Sequence, residues 1–281
     1  MKSNFKRVAI VTGGARGMGR EMTLGLIEKG IAVAVADMHS EGMAELQEIV
    51  AKRGGENLLL PVLSDLTEPD AADRLVQKTF QHFGQVDIVV NNAGIGQAVM
   101  WKDDWKKPVR VWEIEPHQWR TFFQINTDAH FLMVRAAVPL MIKQGWGRIV
   151  GVTTSLSSML KRGVPYGPSK AAAEAFSTYL AKDLEGTGVT VNILVPGGLT
   201  NTNFVPEDAP FDPKTLIQPQ VMVAPLQYLV SDESDKVTAR RFIASRWDPV
   251  KPVDENLAVA GAPIGWPMTG SEAVRPARTD K

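Results

Sequence analysis

Cysteine is absent from the 281 residues. Disulfide frameworks and thiolate metal sites are therefore excluded, and the chain suits a reducing compartment. Histidine is scarce as well. His39, His82, His117 and His130 are scattered without ligand spacing, so no metal site is expected. Neither sign of charge is in excess, with 31 basic against 31 acidic side chains, and nothing draws the chain to nucleic acid or an anionic membrane. No apolar stretch approaches the roughly 18–20 residues that span a bilayer. The opening MKSNFKRVAIVTGGARG is basic, but its apolar run VAIV gives way at once to glycines, unlike a signal peptide. The expectation is a cytoplasmic protein that acts on small molecules.

What is present is an alternation of short β-branched runs with longer amphipathic stretches. Strands are predicted at 7–12, 31–37, 57–63, 86–91, 148–153, 189–195 and 241–245. Helices are predicted at 17–29, 41–53, 68–83, 116–143, 166–186 and 219–231. Nearly continuous apolar strands imply burial on both faces, as in a parallel sheet covered by helices. The pattern predicts an α/β fold: a single doubly wound Rossmann-type domain with a seven-stranded parallel sheet, over 1–250, followed by a C-terminal extension over 251–281. Two regions break the rhythm. Residues 96–115 are rich in Trp and Lys, and the last stretch, rich in proline and glycine, ends in SEAVRPARTDK, which reads as a disordered tail.

The first strand runs into TGGARGMGR, residues 12–20, and then a helix. Gly13, Gly17 and Gly19 allow the chain to turn tightly and approach a pyrophosphate without a Cβ in the way. The helix that starts there aims free N–H groups and a positive dipole end at phosphates. Asp37 closes the second strand, where a carboxylate accepts hydrogen bonds from adenosine ribose hydroxyls and repels a 2′-phosphate. This favours NAD over NADP. Arg16 pulls the other way, since it could pair with a 2′-phosphate, and the neighbouring Met38 adds no second cation.

Further motifs follow in order: Asp65-Leu66 after the third strand, NNAG at 91–94, Asn126 in the long middle helix, YGPSK at 166–170 and PGG at 196–198. Together with TGGARGMG they resemble the classical short-chain dehydrogenase/reductase family, from the first strand to the seventh. The resemblance implies a nicotinamide cofactor held by Gly13, Arg16, Gly17, Met18, Gly19 and Asp37. It places Asp65 and Leu66 near the adenine, and has Asn92, with Ala93 and Gly94, fix the central strand and cofactor loop. Pro196 and Gly197 would border the nicotinamide, with Thr200 or Thr202 near its carboxamide. It also implies a homo-oligomer, tetramer or dimer.

Tyr166 and Lys170 stand four apart and so share one helical face. Pro168 falls in the first turn, where proline is tolerated. A free tyrosine, with a pKa of about 10, is a poor base at neutrality. A nearby ammonium and an oxidised nicotinamide favour the phenolate, so Tyr166 could exchange the alcohol proton while hydride moves to or from the cofactor. By the resemblance, Lys170 also binds the nicotinamide ribose and Asn126 supports a water relay to it. A further hydroxyl is needed at the end of the fifth strand. Counting back from the tyrosine lands on Thr153, strand register favours Thr154, and the nearest serine is Ser155. Thr154 is preferred and Ser155 stays close behind.

The chain also departs from the pattern. The stretch between Gly94 and Asn126 is longer than usual and carries Trp101, Trp105, Trp112, Lys102, Lys106, Lys107 and Arg110. It walls the substrate mouth in favour of an aromatic or anionic substrate, or it is an oligomer contact or a solvent loop. Near the C-terminus, Ala239 stands where many relatives have glycine, and the proline and Trp266 of GAPIGWPMTG read as an ordered extension reaching a neighbouring subunit. The loop GGLTNTNFVPEDAPFDP after Pro196 reads as a cover for bound substrate. Two functions are compatible with this set: an NAD(H)-dependent oxidoreductase interconverting a secondary alcohol and a ketone, or a catalytically silent NAD-binding protein of regulation or assembly. A polyol, a 3-oxoacyl thioester, a hydroxysteroid or an aromatic diol would all suit the first.

Overall fold

The computed structural model describes residues 5–102, 106–161, 163–206 and 208–266. Trp105 and the terminal SEAVRPARTDK lie outside the described residues. Strands β1 (Val8–Thr12), β2 (Ala32–Asp37), β3 (Leu59–Leu63), β4 (Ile88–Asn91), β5 (Gly147–Val152), β6 (Val189–Val195), β7 (Arg240–Ile243) and β8 (Gly261–Pro263) form one sheet. Its order is β3-β2-β1-β4-β5-β6-β7-β8. Around it lie α1 (Gly17–Glu28), α2 (Ser40–Lys52), α3 (Ala71–Phe83), α4 (Pro116–Phe123) and α5 (Ala129–Gln144). They are followed by α6 (Leu156–Lys161), α7 (Tyr166–Asp183), α8 (Val223–Leu229) and α9 (Val253–Val259).

The apolar runs become strands because each face has its own core to enter. In β1, Val8 and Ile10 join one buried cluster, while Ala9 and Val11 join the cluster on the opposite side. That is the two-residue alternation of a strand covered on both faces. Strand order reverses between β1 and β4, both leading into glycine-bearing turns at their C-terminal ends. A crevice at such a reversal is where ligands bind in open α/β sheets.

Four features differ from the sequence expectation. The seven parallel strands are present, but β8 adds an eighth, antiparallel to β7, from residues assigned to the extension. Only three residues long and proline-bearing, it lacks the length that marks a strand in sequence. The third strand starts later than predicted: Glu56–Leu58 form a 3₁₀ turn, and Pro61 is accommodated because β3 is a sheet edge. The long middle helix is interrupted by a π-helical turn at Gln124–Asp128. Helices α6 and α9 were not predicted, being too short for a periodic signal. Among the described residues, no helix is long and apolar enough to cross a membrane, and no cluster of three or more His, Cys, Asp or Glu could hold a metal ion.

Candidate active site

The glycine turn is pressed against the next loop. Gly13 has φ +62°, and a Cβ on it would lie 2.9 Å from the Ala93 Cα. A Cβ on Gly19 would lie 2.0 Å from the Gly13 carbonyl oxygen, so only glycine fits. Helix α1 begins at Gly17, with Arg16 exposed at its N-cap and no side chain capping its first N–H groups. Met18 packs into the core beneath. Asn92 locks this turn to β4: its Nδ2 donates to the carbonyls of Thr12 (3.0 Å) and Gly13 (2.9 Å). The amides of Asn92 and Ala93 donate to Thr12 Oγ1, each at 3.0 Å. A cradle without side chains, edged by free helix N–H groups, fits a dinucleotide pyrophosphate.

Asp37 ends β2 beside this cradle. Its Oδ2 accepts from the Ala15 amide at 3.1 Å and its Oδ1 from the His39 amide at 3.0 Å. It thus caps the turn, and a carboxylate with about four acceptor sites still has room for ribose hydroxyls. Asp65 accepts from the amide and hydroxyl of Thr67 at 2.9 and 2.7 Å, shaping the loop after β3, and Leu66 packs onto the core.

Asn126 sits inside the π-helical turn, fully buried. Its Oδ1 accepts from the Ile95 amide (2.9 Å), and its Nδ2 donates to the Ile95 carbonyl (3.1 Å) and Ser169 Oγ (3.0 Å). It joins the NNAG loop to α7, a coupling that π-helical turns often serve at functional sites. A Cβ on Gly94 would meet both Asn126 Oδ1 (2.8 Å) and Lys170 Nζ (2.9 Å).

Tyr166 and Lys170 both come from the first turns of α7. Lys170 is buried, its Nζ donates to the Val152 carbonyl at 3.1 Å, and burial lowers its pKa to about 8. Tyr166 is half-buried, with the Thr154 side chain near its phenol. Burial raises the pKa of its phenol, and the nearby Thr154 side chain opposes that shift. The direction is opposite to the lowering expected from a lysine neighbour. The Lys170 ammonium is engaged by the β5 carbonyl, and the second cation in that expectation belongs to the cofactor.

Three candidate hydroxyls now have separate places. Thr153 turns away and donates to Glu174 Oε2 at 2.8 Å. The Thr154 side chain lies near the Tyr166 phenol. Ser155 accepts from the Ser158 amide at 3.0 Å, in the manner of an N-cap for α6.

Beyond Pro196, whose carbonyl accepts from the Ser245 amide at 3.1 Å, a Cβ on Gly197 would clash with Ser245 Oγ. Thr200 is buried and donates to the Gly198 carbonyl at 3.2 Å. Thr202 comes within 3.2 Å of the position a Cβ on Gly17 would take, so this loop reaches the glycine turn. Phe204 was not foreseen. Its ring lies edge-on to Tyr166 with centroids 6.3 Å apart and packs over Gly96. The long stretch after Gly94 touches the same loop through Lys106, which donates to Asp208 at 2.8 Å. Trp101 stacks on Phe122, whereas Trp112 is exposed.

The comparisons agree with this geometry. Residues 7–211 match the short chain dehydrogenase family. A short-chain type dehydrogenase/reductase of Picea abies is 33% identical over 249 residues, covering 83% of this chain and 89% of that one. A 3-oxoacyl-(acyl-carrier-protein) reductase of Synechocystis is 32% identical over 194 residues, covering 68% and 73%. A solved structure from Beutenbergia cavernae, a candidate NAD(P)-dependent gluconate 5-dehydrogenase with NADP bound at low occupancy, superposes with a TM-score of 0.72 at 28% identity, covering 86% and 96%. The chain belongs to the short-chain dehydrogenase/reductase family, oxidoreductases that use a nicotinamide cofactor on small-molecule substrates.

Proposed function

We propose that the protein interconverts a secondary alcohol and a ketone, with NAD(H) as cofactor and Tyr166 and Lys170 as the proton-transfer pair. The observation that carries this reading is Tyr166 and Lys170 one helical turn apart on one face of α7, with the Lys170 Nζ held by the Val152 carbonyl and lying against Gly94. The bound nicotinamide supplies the hydride acceptor or donor. Thr154 holds the substrate oxygen and Tyr166 takes its proton during oxidation, or returns it during reduction. Lys170, held by the Val152 carbonyl and adjoining Gly94, is placed to hydrogen-bond the nicotinamide ribose and to favour the phenolate once the cofactor is in position. Asn126, anchored on Ile95 and Ser169, keeps the loop behind Lys170 in place.

The NAD preference rests on Asp37, whose carboxylate would face a 2′-phosphate across the adenosine ribose. NADP is the second reading, favoured by the exposed Arg16 and by the NADP carried by the Beutenbergia relative. A cytoplasmic homo-oligomer, tetramer or dimer, completes the proposal.

The test is NADH absorbance over a panel of secondary alcohols, with NADP in parallel. Tyr166→Phe is expected to reduce turnover by about 10²–10⁴-fold while leaving NAD binding intact. NAD binding without oxidation of any alcohol in the wild type would favour the silent nucleotide-binding reading. Undiminished turnover in the variant would remove Tyr166 from the mechanism.

A further inference from the structure

The face of α7 that carries Tyr166 and Lys170 continues, one turn on, with Glu174. This carboxylate is 0% exposed and pairs with Arg241 of β7, which is 12% exposed: Nε lies 3.0 Å from Oε1. Glu174 Oε2 also accepts the Thr153 hydroxyl at 2.8 Å. The Arg241 guanidinium has a second task, since its Nη2 donates to the carbonyl of Thr154. Residues 152–154 are thus each gripped: the Val152 carbonyl by Lys170, the Thr153 side chain by Glu174 and the Thr154 carbonyl by Arg241.

An ion pair this buried contributes little net stability compared with apolar side chains of equal volume, because desolvating both charges offsets their attraction. Stability alone does not account for its presence. A planar fork does what no apolar group can. It binds a carboxylate with one edge and a backbone carbonyl with another, fixing both in one orientation.

We propose that Glu174 and Arg241 are positioning residues, holding residues 153 and 154 at the end of β5 in the place that sets Thr154 beside Tyr166. Thr153 serves as the second anchor. The inference rests on the reading of Tyr166 and Thr154 given above, and it adds a requirement: geometry at the phenol depends on a guanidinium that touches neither substrate nor cofactor.

The discriminating variant is Arg241→Lys, which keeps a cation beside Glu174 but cannot reach Glu174 and the Thr154 carbonyl together. Its melting temperature should stay near that of the wild type. Its kcat should fall about tenfold or more, KM for NAD should not move, and the Tyr166 phenol should titrate at higher pH once Thr154 moves away from it. The phenol is followed by ultraviolet absorbance, using Tyr166→Phe as the blank, so this readout needs no turnover. The double variant Glu174→Leu/Arg241→Met, expected to recover stability without the pair, should recover neither kcat nor the titration. Wild-type kcat and phenol titration in Arg241→Lys would overturn the proposal, as would recovery of both in the double variant. If no alcohol is turned over even by the wild type, the reaction assigned above fails, while the phenol titration still decides the positioning.

Discussion

Lys170 is a buried cation whose neighbours do not neutralise it, and this has a consequence for stability as well as for proton transfer. Burial moves its pKa from 10.5 to about 8, so the unfolded chain holds the proton more tightly than the folded one. Between those two values stability rises with pH; below about 8 the whole penalty applies. Replacing Lys170 with Met should therefore abolish turnover yet raise stability at pH 7, by on the order of 3 kcal/mol at most. The advantage should disappear near pH 10.5, which thermal melts at both pH values would reveal. At this scale the sequence was most informative where spacing carries geometry. Tyr166 and Lys170 share a face because a helix requires it. Thr153, Thr154 and Ser155 could not be separated by counting, since the strand ends at Val152 just before them and the hydroxyls of Thr153 and Ser155 take partners on α7 and α6.

At the level of elements, the sequence pattern located the strands because their apolar residues fill two cores, but it could not foresee the π-helical turn at Gln124–Asp128. That turn is held by bonds from Asn126 to Ile95 and Ser169, partners 31 and 43 residues away. A second local departure is Ala239, which enters β7 with φ +55°, a conformation unfavourable to any residue with a Cβ. It is tolerated because its amide donates to the Val191 carbonyl at 2.8 Å and its carbonyl accepts from Ile264. Ala239→Gly should relieve this strain for a net gain of about 0.5–1 kcal/mol after the added freedom of the unfolded chain is subtracted. Chemical denaturation should show a higher midpoint with an unchanged slope; a lower midpoint would mean that the Ala239 methyl contributes packing that outweighs the strain.

For the whole molecule, the structure adds an eighth strand, built from the C-terminal residues. β8 covers the outer edge of β7, Asn256 in α9 closes the loop through the Asp248 backbone, and Ile264 is buried in the core. A chain ending at residue 252 would expose that edge and remove Ile264, so its melting temperature should fall by about 5 °C or more and it should aggregate as concentration rises. An unchanged melting curve would mean that β8 and Ile264 contribute little to the fold's stability. By itself the sequence determined the doubly wound sheet, the glycine turn and the tyrosine–lysine face, because periodicity and steric need are local and survive in a string of residues. The tertiary structure decided that Thr153 turns to Glu174, that Phe204 packs against Tyr166, that Arg241 grips the Thr154 carbonyl and that an eighth strand closes the sheet. Each of those depends on groups far apart along the chain, whose meeting is set by packing across the sheet and not by any nearby pattern.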